Sequence, residues 1–322
     1  MSEAIRRMDV SHRMVASRAM PRVSVVVPTR NRVQDLERCL ECLRGQSMPP
    51  DQFEILICDD GSESSSAKEI ERLCGGDARV RYLRQDPRGP AAARNMGVRA
   101  ARGTIIAFTD SDTLPSRGWL AALIAPFADA EVAAVEGPVR PPEPRVSPLQ
   151  DAPRSEGGVY LTANMAYRRS VLETVGGLDE MFPLPAFEDT DLALVARNEG
   201  RFDFAPEAVV IHPWRRLTLR GSFARLRQLD WLLVTALRHG CLAWVDRPTT
   251  HPRLRVALAA TVFLPLGRAR SALKFTRRNP RDVLLRLGYC LMESLVCLTR
   301  VPRWMFANVV IERKRFLEGG HA

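Results

Sequence analysis

The chain has 322 residues, of which 46% are hydrophobic and 26% are charged, and its formal net charge is +10 at pH 7. These values exclude a chain that is disordered throughout, and they allow one large domain or one domain with an appended helical region. The positive charge is concentrated in residues 213–322, which contain 21 Lys or Arg and 6 Asp or Glu. Such a basic region is typical of proteins that meet an anionic membrane surface or nucleic acid, and also of a solvated basic face.

Strands and helices alternate through the first third of the chain. Four short runs of β-branched or apolar residues predict buried strands, at residues 23–31, 53–62, 80–85 and 104–112. Three segments with helical spacing lie between them, at residues 32–46, 65–74 and 89–103. Strands that are buried on both faces and separated by helices predict an α/β fold with a largely parallel sheet.

Polar clusters follow three of these strands. The first strand ends in "PTRN", the second in "CDDGS" and the fourth in "TDSD". Because ligands of such sheets bind outside the carboxyl ends of the strands, the three clusters predict one site at one edge of the sheet.

The "DSD" of the fourth strand places Asp110 and Asp112 on neighbouring sides of a turn. Hard oxygen ligands of this kind suit Mg²⁺ or Mn²⁺, which also bind substrate phosphates. Taken alone, the tripeptide favours a simple aspartate-rich turn, so it is a weak signal of a metal site.

The pattern is looser after residue 113. We predict a helix over residues 119–127, a strand over 132–139, and a strand and a helix within 159–180. The proline-rich residues 140–154 indicate a mobile loop near the site. A helix with acids in its first turn is predicted over 187–200, and a strand over 202–214 that ends at His212.

Several motifs occur in a recognisable order, namely "VSVVVPTRN", "CDDGS", "ARNMGVRAARGTIIAFTDSD", "GGLDEMF", "EDTDLALVARNEG" and a late "VVIH". In this order they resemble the family 2 glycosyltransferases of the GT-A fold, over residues 21–215. The resemblance implies a Rossmann-like nucleotide-diphospho-sugar transferase domain, with a mixed sheet flanked by helices. It also implies an inverting enzyme that moves a sugar from a nucleotide-diphosphate sugar to an acceptor hydroxyl.

The resemblance also implies roles for particular residues. The nucleotide-binding residues would be Pro28, Arg30, Asp59, Asp60, Arg94 and Asp110, with Asp60 the stronger candidate for the base and Asp110 placed toward the ribose or a metal-bound water. Asp112 and His212 would hold Mg²⁺ or Mn²⁺. Asp189 would be the catalytic base, with its pKa raised by Glu188 and Asp191, and Glu188 would contact the acceptor.

Many members of this family carry a Trp- or Gly-rich segment before the "ED" motif, whereas this chain has "FPLPAF". That segment usually borders the acceptor, so the acceptor class stays open between a saccharide and a lipid-linked molecule. Synthesis of a cell-envelope polysaccharide or glycolipid is the favoured setting.

Residues 1–20 lack the apolar core of a signal peptide, so we expect a flexible leader. The seven cysteines show no disulfide spacing, which favours packing cysteines in a cytoplasmic protein. Residues 216–322 are expected to form basic amphipathic helices. These helices would lie on the inner face of an anionic cytoplasmic membrane, or fold back as a cap or dimer contact. Nucleic-acid binding is disfavoured because no basic motif of that class occurs.

Three other functions were weighed. A nucleotidyltransferase of related fold would need a Gly-rich loop with a lysine after the first strand, and "PTRNRVQD" has neither. A dinucleotide oxidoreductase would need GxGxxG at that position. Loss of Asp112 or Asp189 would indicate a non-catalytic nucleotide-sugar-binding scaffold, and both are present. The enzyme interpretation is therefore preferred.

Overall fold

A computed structural model describes residues 20–182, 186–218, 235, 239, 281–285 and 287–291. The expected leader and most of the expected extension lie outside these residues, as does part of the "FPLPAF" segment. None of the helices in the described part of the chain is both long and apolar enough to cross a membrane.

The described strands are short. They are β1 (Val23–Thr29), β2 (Phe53–Asp60), β3 (Val80–Gln85), β4 (Ile105–Phe108), β5 (Leu114–Pro115), β6 (Val132–Glu136), β7 (Val139–Arg140), β8 (Gln150–Asp151), β9 (Met165–Arg168), β10 (Arg201–Phe204), β11 (Val210–Ile211) and β12 (Arg215–Arg216). The described α-helices are α1 (Val33–Arg44), α2 (Ser64–Cys74), α3 (Pro90–Ala100), α4 (Trp119–Ile124), α5 (Arg169–Val175) and α6 (Glu188–Ala196).

Seven of these strands form the central sheet, in the order β10-β6-β9-β4-β1-β2-β3. Strand β9 is antiparallel to both of its neighbours, and the other pairs are parallel. The prediction of a largely parallel α/β sheet is confirmed. The carboxyl ends of β1, β2 and β4 lie side by side, which brings the three polar clusters to one edge.

The sheet is covered on both faces, which explains the continuous apolar runs. All eight residues of β2 are buried. Helices α1, α2 and α4 contribute to one apolar core, and helices α3, α5 and α6 contribute to the other. Adjacent residues of β1 divide between these cores, as the period of two along a strand requires: Val25 and Val27 pack in the first and Val26 in the second.

Helix α3 lies unusually close to the sheet. A Cβ atom on Gly97 would meet Val26 Cγ1 at 2.5 Å and Cys58 Sγ at 2.8 Å. Only glycine allows this approach, because a Cβ at such distances overlaps its neighbours. The close packing fixes α3 beside the ends of β1 and β2.

Two sequence predictions of single elements are wrong. The strand expected over residues 202–214 is split into β10 and β11, because the chain turns between them with a hydrogen bond from the Ala208 amide to the Ala205 carbonyl. Pro206 lies in that turn and lacks an N–H for a strand ladder. The strand expected over 132–139 is split into β6 and β7, which belong to different sheets. The helix expected over 119–127 is confirmed, and it runs as an α-helix to Ile124 and as a 3₁₀-helix over Ala125–Ala128.

Candidate functional site

A cleft of about 870 Å³ opens at the carboxyl ends of β1, β2 and β4. It is bordered by the turns after these strands, by the start of α3 and by the segments around β8 and β12. Its volume suits a ligand of small-molecule size. Seven of the residues predicted for the site line it: Pro28, Arg30, Asp60, Arg94, Asp110, Asp112 and His212.

The loop over this cleft includes part of the proline-rich segment. Strand β8 pairs with β12, and Asp151, Ala152 and Pro153 line the cleft beside Arg215. Three residues of the proline-rich segment 140–154 therefore border this cleft, while its expected mobility stays a prediction.

A tight turn after β4 presents the two aspartates of "DSD". The Thr113 amide and hydroxyl both donate to the Asp110 carbonyl, at 3.2 and 2.7 Å. The Thr109 and Thr113 hydroxyls are 2.8 Å apart in the buried base of the turn. The turn is thus held by its own threonines, while the carboxylates of Asp110 and Asp112 border the cleft.

Positive groups converge on Asp112. Its Oδ2 accepts a hydrogen bond from Arg32 Nη1 at 3.2 Å and forms an ion pair with Arg215 Nη2. His212 Nε2 lies 3.5 Å from the same oxygen. Arg32 and Arg215 are not among the site residues predicted from the sequence, although each lies close in sequence to a predicted one.

Asp112 and His212 offer a carboxylate oxygen and an imidazole nitrogen, which are donor types that divalent cations bind. His212 Nδ1 is 3.2 Å from the Pro213 carbonyl, so a proton on Nδ1 leaves the lone pair of Nε2 on the side of Asp112. No group of three or more His, Cys, Asp or Glu suited to a metal occurs in the described part of the chain. The chain would therefore supply two ligands, and substrate oxygens and water the others, as is common for Mg²⁺.

The adjacent acids of β2 have different surroundings. Asp59 is fully buried and accepts hydrogen bonds from the Ser62 amide and hydroxyl and from the Tyr82 hydroxyl, at 2.6–2.9 Å. Asp60 accepts from Gln85 Nε2 and from the amides of Arg88 and Gly89, at 2.8–2.9 Å, and it borders the cleft. Of the two, only Asp60 is placed to meet a ligand in this cleft.

Arg94 joins the cleft to the start of α6. Its Nη2 donates to Asp110 Oδ1 at 2.7 Å, and its Nη1 donates to Glu188 Oε1 at 3.1 Å. The side chains of Arg94 and Glu188 are 5% and 3% exposed. Burial and the neighbouring Asp189 raise the pKa of Glu188, and Arg94 opposes that rise.

Asp189 begins α6 beside Glu188. Its Oδ1 accepts the Thr190 amide at 2.8 Å and its Oδ2 accepts the Thr162 amide at 3.4 Å. Burial raises the pKa of Asp189, while Arg94 and the two amides lower it. The preceding residue, Phe187, has a φ of 72°, a conformation that costs a non-glycine residue about 1–3 kcal/mol and often occurs at functional sites.

Asp191 does not act as the sequence analysis expected. Its Oδ1 is 2.8 Å from His239 Nε2, so the carboxylate is paired with a residue of the C-terminal region. The pKa of Asp189 is raised chiefly by burial, with a contribution from Asp110, and Asp189 in turn raises the pKa of the adjacent Glu188. The spacing of acids along α6 could not show this, because it gives no information on what each side chain meets.

Known proteins match the chain in both sequence and fold. A family model described as "Glycosyl transferase family 2" matches residues 24–176. A "Pre-mycofactocin glycosyltransferase" from Mycobacterium tuberculosis is 34% identical over 223 residues, which cover 63% of this chain and 45% of the relative. "Glycosyltransferase AglE" from Haloferax volcanii is 29% identical over 212 residues, which cover 61% of this chain and 68% of the relative. The chain thus matches less than half of the mycobacterial relative's length.

Two solved structures show the same fold. The mannosyltransferase PcManGT from Pyrobaculum calidifontis, in complex with GDP-Man and Mn²⁺, aligns with a TM-score of 0.60 at 23% identity and covers 86% of both chains. TarS 1–349 from S. aureus, in complex with UDP-GlcNAc, aligns with a TM-score of 0.55 at 18% identity, over 87% of this chain and 90% of that one. The α/β domain described above therefore has the fold of GT-A glycosyltransferases.

Proposed function

We propose that this chain, whose residues 24–176 match the family model of glycosyl transferase family 2, transfers a sugar from a nucleotide-diphosphate sugar to an acceptor hydroxyl, with inversion at the anomeric carbon. One observation carries this proposal. The cleft that holds Asp60, Asp110 and Asp112 is joined through Arg94 to the acids that begin α6. Hydrogen bonds of a single side chain thus connect the proposed donor site to the helix that carries the candidate base.

The nucleotide lies in the cleft between the ends of β1 and β2. Asp60 takes the N–H of the base, Pro28 and Arg30 border it, and Asp110 meets the ribose. Arg32 and Arg215 supply fixed positive charge next to Asp112, where the diphosphate gains negative charge as it leaves. Positive groups held in place before the reaction stabilise such charge without the cost of reorganisation.

Asp112 and His212 would hold Mg²⁺ or Mn²⁺ at the diphosphate. When bound, the ion would neutralise negative charge on the leaving diphosphate. The two side chains orient that end of the donor, and the Pro213 carbonyl, 3.2 Å from His212 Nδ1, helps to hold the imidazole in place.

Asp189 acts as the general base. It removes the proton of the acceptor hydroxyl as the hydroxyl oxygen bonds to the anomeric carbon, and the bond from that carbon to the diphosphate oxygen breaks. A single displacement from the face opposite the leaving group inverts the configuration. The raised pKa of Asp189 brings this carboxylate closer to the proton affinity that a base needs near neutral pH.

We propose a saccharide or lipid-linked acceptor at an anionic membrane surface, in cell-envelope synthesis. The support comes from the C-terminal region. Residues 281–285 and 287–291 are helical, and Val283 and Cys290 are buried while Leu284, Leu285 and Leu291 are 70%, 48% and 65% exposed. Asp282 accepts a hydrogen bond from Ser147 Oγ at 2.7 Å, so this helix contacts the domain and presents leucines outward.

The membrane proposal predicts binding to vesicles. The full-length protein should sediment with vesicles that contain anionic phospholipid and remain in the supernatant with neutral ones, because basic side chains and exposed leucines act together at an interface. Replacing Leu284, Leu285 and Leu291 with Ser should weaken this binding without loss of donor turnover. Equal binding of the protein to neutral and anionic vesicles, or none to either, would overturn the proposal.

The transfer proposal predicts donor-specific release of nucleoside diphosphate. The purified protein is incubated with a panel of nucleotide sugars in Mn²⁺, in Mg²⁺ and in EDTA, with saccharide and lipid-linked acceptors. We expect release from one donor that requires the metal, and a product of opposite anomeric configuration by NMR. Donor binding by calorimetry without turnover of any donor would instead support the non-catalytic scaffold.

A further inference from the structure

We propose that Arg94 is a positioning residue that ties the acid pair at the start of α6 to the donor-side turn after β4, and that it is not a ligand of the nucleotide. This inference deepens the proposed function and rests on it. Arg94 was predicted as a nucleotide-binding residue, and its surroundings favour a different role.

The guanidinium of Arg94 already donates hydrogen bonds to two carboxylates. Its Nη2 and Nη1 reach Asp110 and Glu188, residues that are 16 and 94 positions away in sequence. A planar guanidinium can bond two carboxylates in a fixed geometry, which a lysine ammonium cannot do in the same way. With 5% of its side chain exposed, Arg94 has little surface left for a phosphate.

The position of Arg94 is fixed by its helix. Ala91, Ala92 and Ala93 before it are buried, and Gly97 brings the same helix against Val26 and Cys58. The guanidinium therefore cannot swing toward a ligand without breaking its contacts. Within the described residues, Arg94 Nε and Glu188 Oε2 are buried without a hydrogen-bond partner, a cost in free energy that the ion pairs of Arg94 with Glu188 and Asp110 offset.

The charged groups around Glu188 and Asp189 indicate how Arg94 affects the ionisation of the base. Glu188 and Asp189 face Arg94 of α3 and Asp110 of the turn after β4, and the buried Tyr167 of β9 lies near Asp189. His239 meets Asp191, farther along α6. Among the residues that the structure describes, Arg94 is thus the cation that faces the two acids, and its charge lowers the pKa of both. Its charge favours the ionised form of Asp189. Its two hydrogen bonds hold the start of α6 next to the turn after β4, where the donor binds.

The test compares Arg94→Gln, Arg94→Lys and the wild-type protein. For each we would measure kcat across pH and the Kd of the nucleoside diphosphate by calorimetry. The control is Arg99→Gln on the same helix, since Arg99 is 62% exposed. Thermal melting identifies any variant that fails to fold, and Arg94→Lys, which keeps the charge, then carries the test.

We expect Arg94→Gln to lower kcat by about 10²-fold, as small misplacements of reacting groups do. The acid limb of its kcat profile should move to higher pH, because the base loses the charge that favours its ionised form. Arg94→Lys should lower kcat while its acid limb stays near that of the wild type. Nucleotide affinity should change little in both variants, and Arg99→Gln should behave as wild type.

Two results would overturn the inference. One is a large loss of nucleotide affinity with an unchanged pH profile, which is the behaviour of a phosphate ligand. The other is wild-type kcat in both Arg94 variants. A wild-type protein that turns over no nucleotide sugar would instead refute the proposed function, so the two failures are distinct.

Discussion

Replacing Asp189 with Asn is expected to lower kcat by about 10²- to 10⁴-fold, the usual contribution of a positioned general base. Asn keeps the size of the side chain and can still accept the amide of Thr190 or Thr162, so the fold and the donor site should be preserved. The loss should appear in kcat, with the Kd of the nucleoside diphosphate nearly unchanged. Steady-state kinetics and calorimetry on the same preparation measure both.

The pH dependence of kcat tests whether Asp189 must be ionised. The base must be ionised, so kcat rises as pH rises through its pKa, and burial places that pKa above the ordinary aspartate value. The acid limb should be lost in Asp189→Asn. Asp191→Asn is the matched control, since Asp191 lies on the same helix but pairs with His239, and its kcat should stay within a few-fold of wild type. An unchanged acid limb in Asp189→Asn would place the base elsewhere.

Replacing Asp112 with Asn is expected to lower kcat/KM by about 10²- to 10³-fold, the range seen when one preorganised group that stabilises developing charge is removed. Asp112 is where Arg32, His212 and Arg215 meet. Its loss removes the carboxylate that we propose holds the metal, and it releases both arginines. Titrating Mn²⁺ into the release assay should show a much weaker metal dependence in the variant.

A matched control for Asp112→Asn is Asp151→Asn. Asp151 lines the same cleft on the side of β8, and we expect a smaller effect on metal dependence. The metal assignment would be contradicted by a wild-type protein that is fully active in EDTA, with Asp112→Asn equally active.

The sequence was informative where side chains follow parallel strands. Asp60, Asp110 and Asp112 come after β2 and β4, whose ends lie at the same edge whatever the details of packing. The family order of motifs then placed Asp189 and His212 in the same region. This part of the site depends on the topology of the sheet, which the alternation of strands and helices in the sequence predicts.

The remaining contacts depend on packing between distant segments. The pairing of Arg94 with Glu188 crosses 94 positions, and no local spacing indicates it. Asp59 and Asp60 are adjacent in one motif, yet consecutive strand residues point in opposite directions, so only the structure shows that Asp59 meets Tyr82 while Asp60 borders the cleft. Arg215 reaches Asp112 because β12 pairs with β8, a contact between two-residue strands that propensity does not predict.

The most direct test is a crystal structure of the protein with its nucleotide-diphosphate sugar and Mn²⁺, because it measures where the anomeric carbon lies relative to Asp189. We expect the diphosphate between Asp112, Arg32 and Arg215. The anomeric carbon should face Asp189 with room for one hydroxyl oxygen, about 3 Å from each. A nucleotide bound outside this cleft, or an anomeric carbon shielded from Asp189 by the diphosphate, would contradict the account.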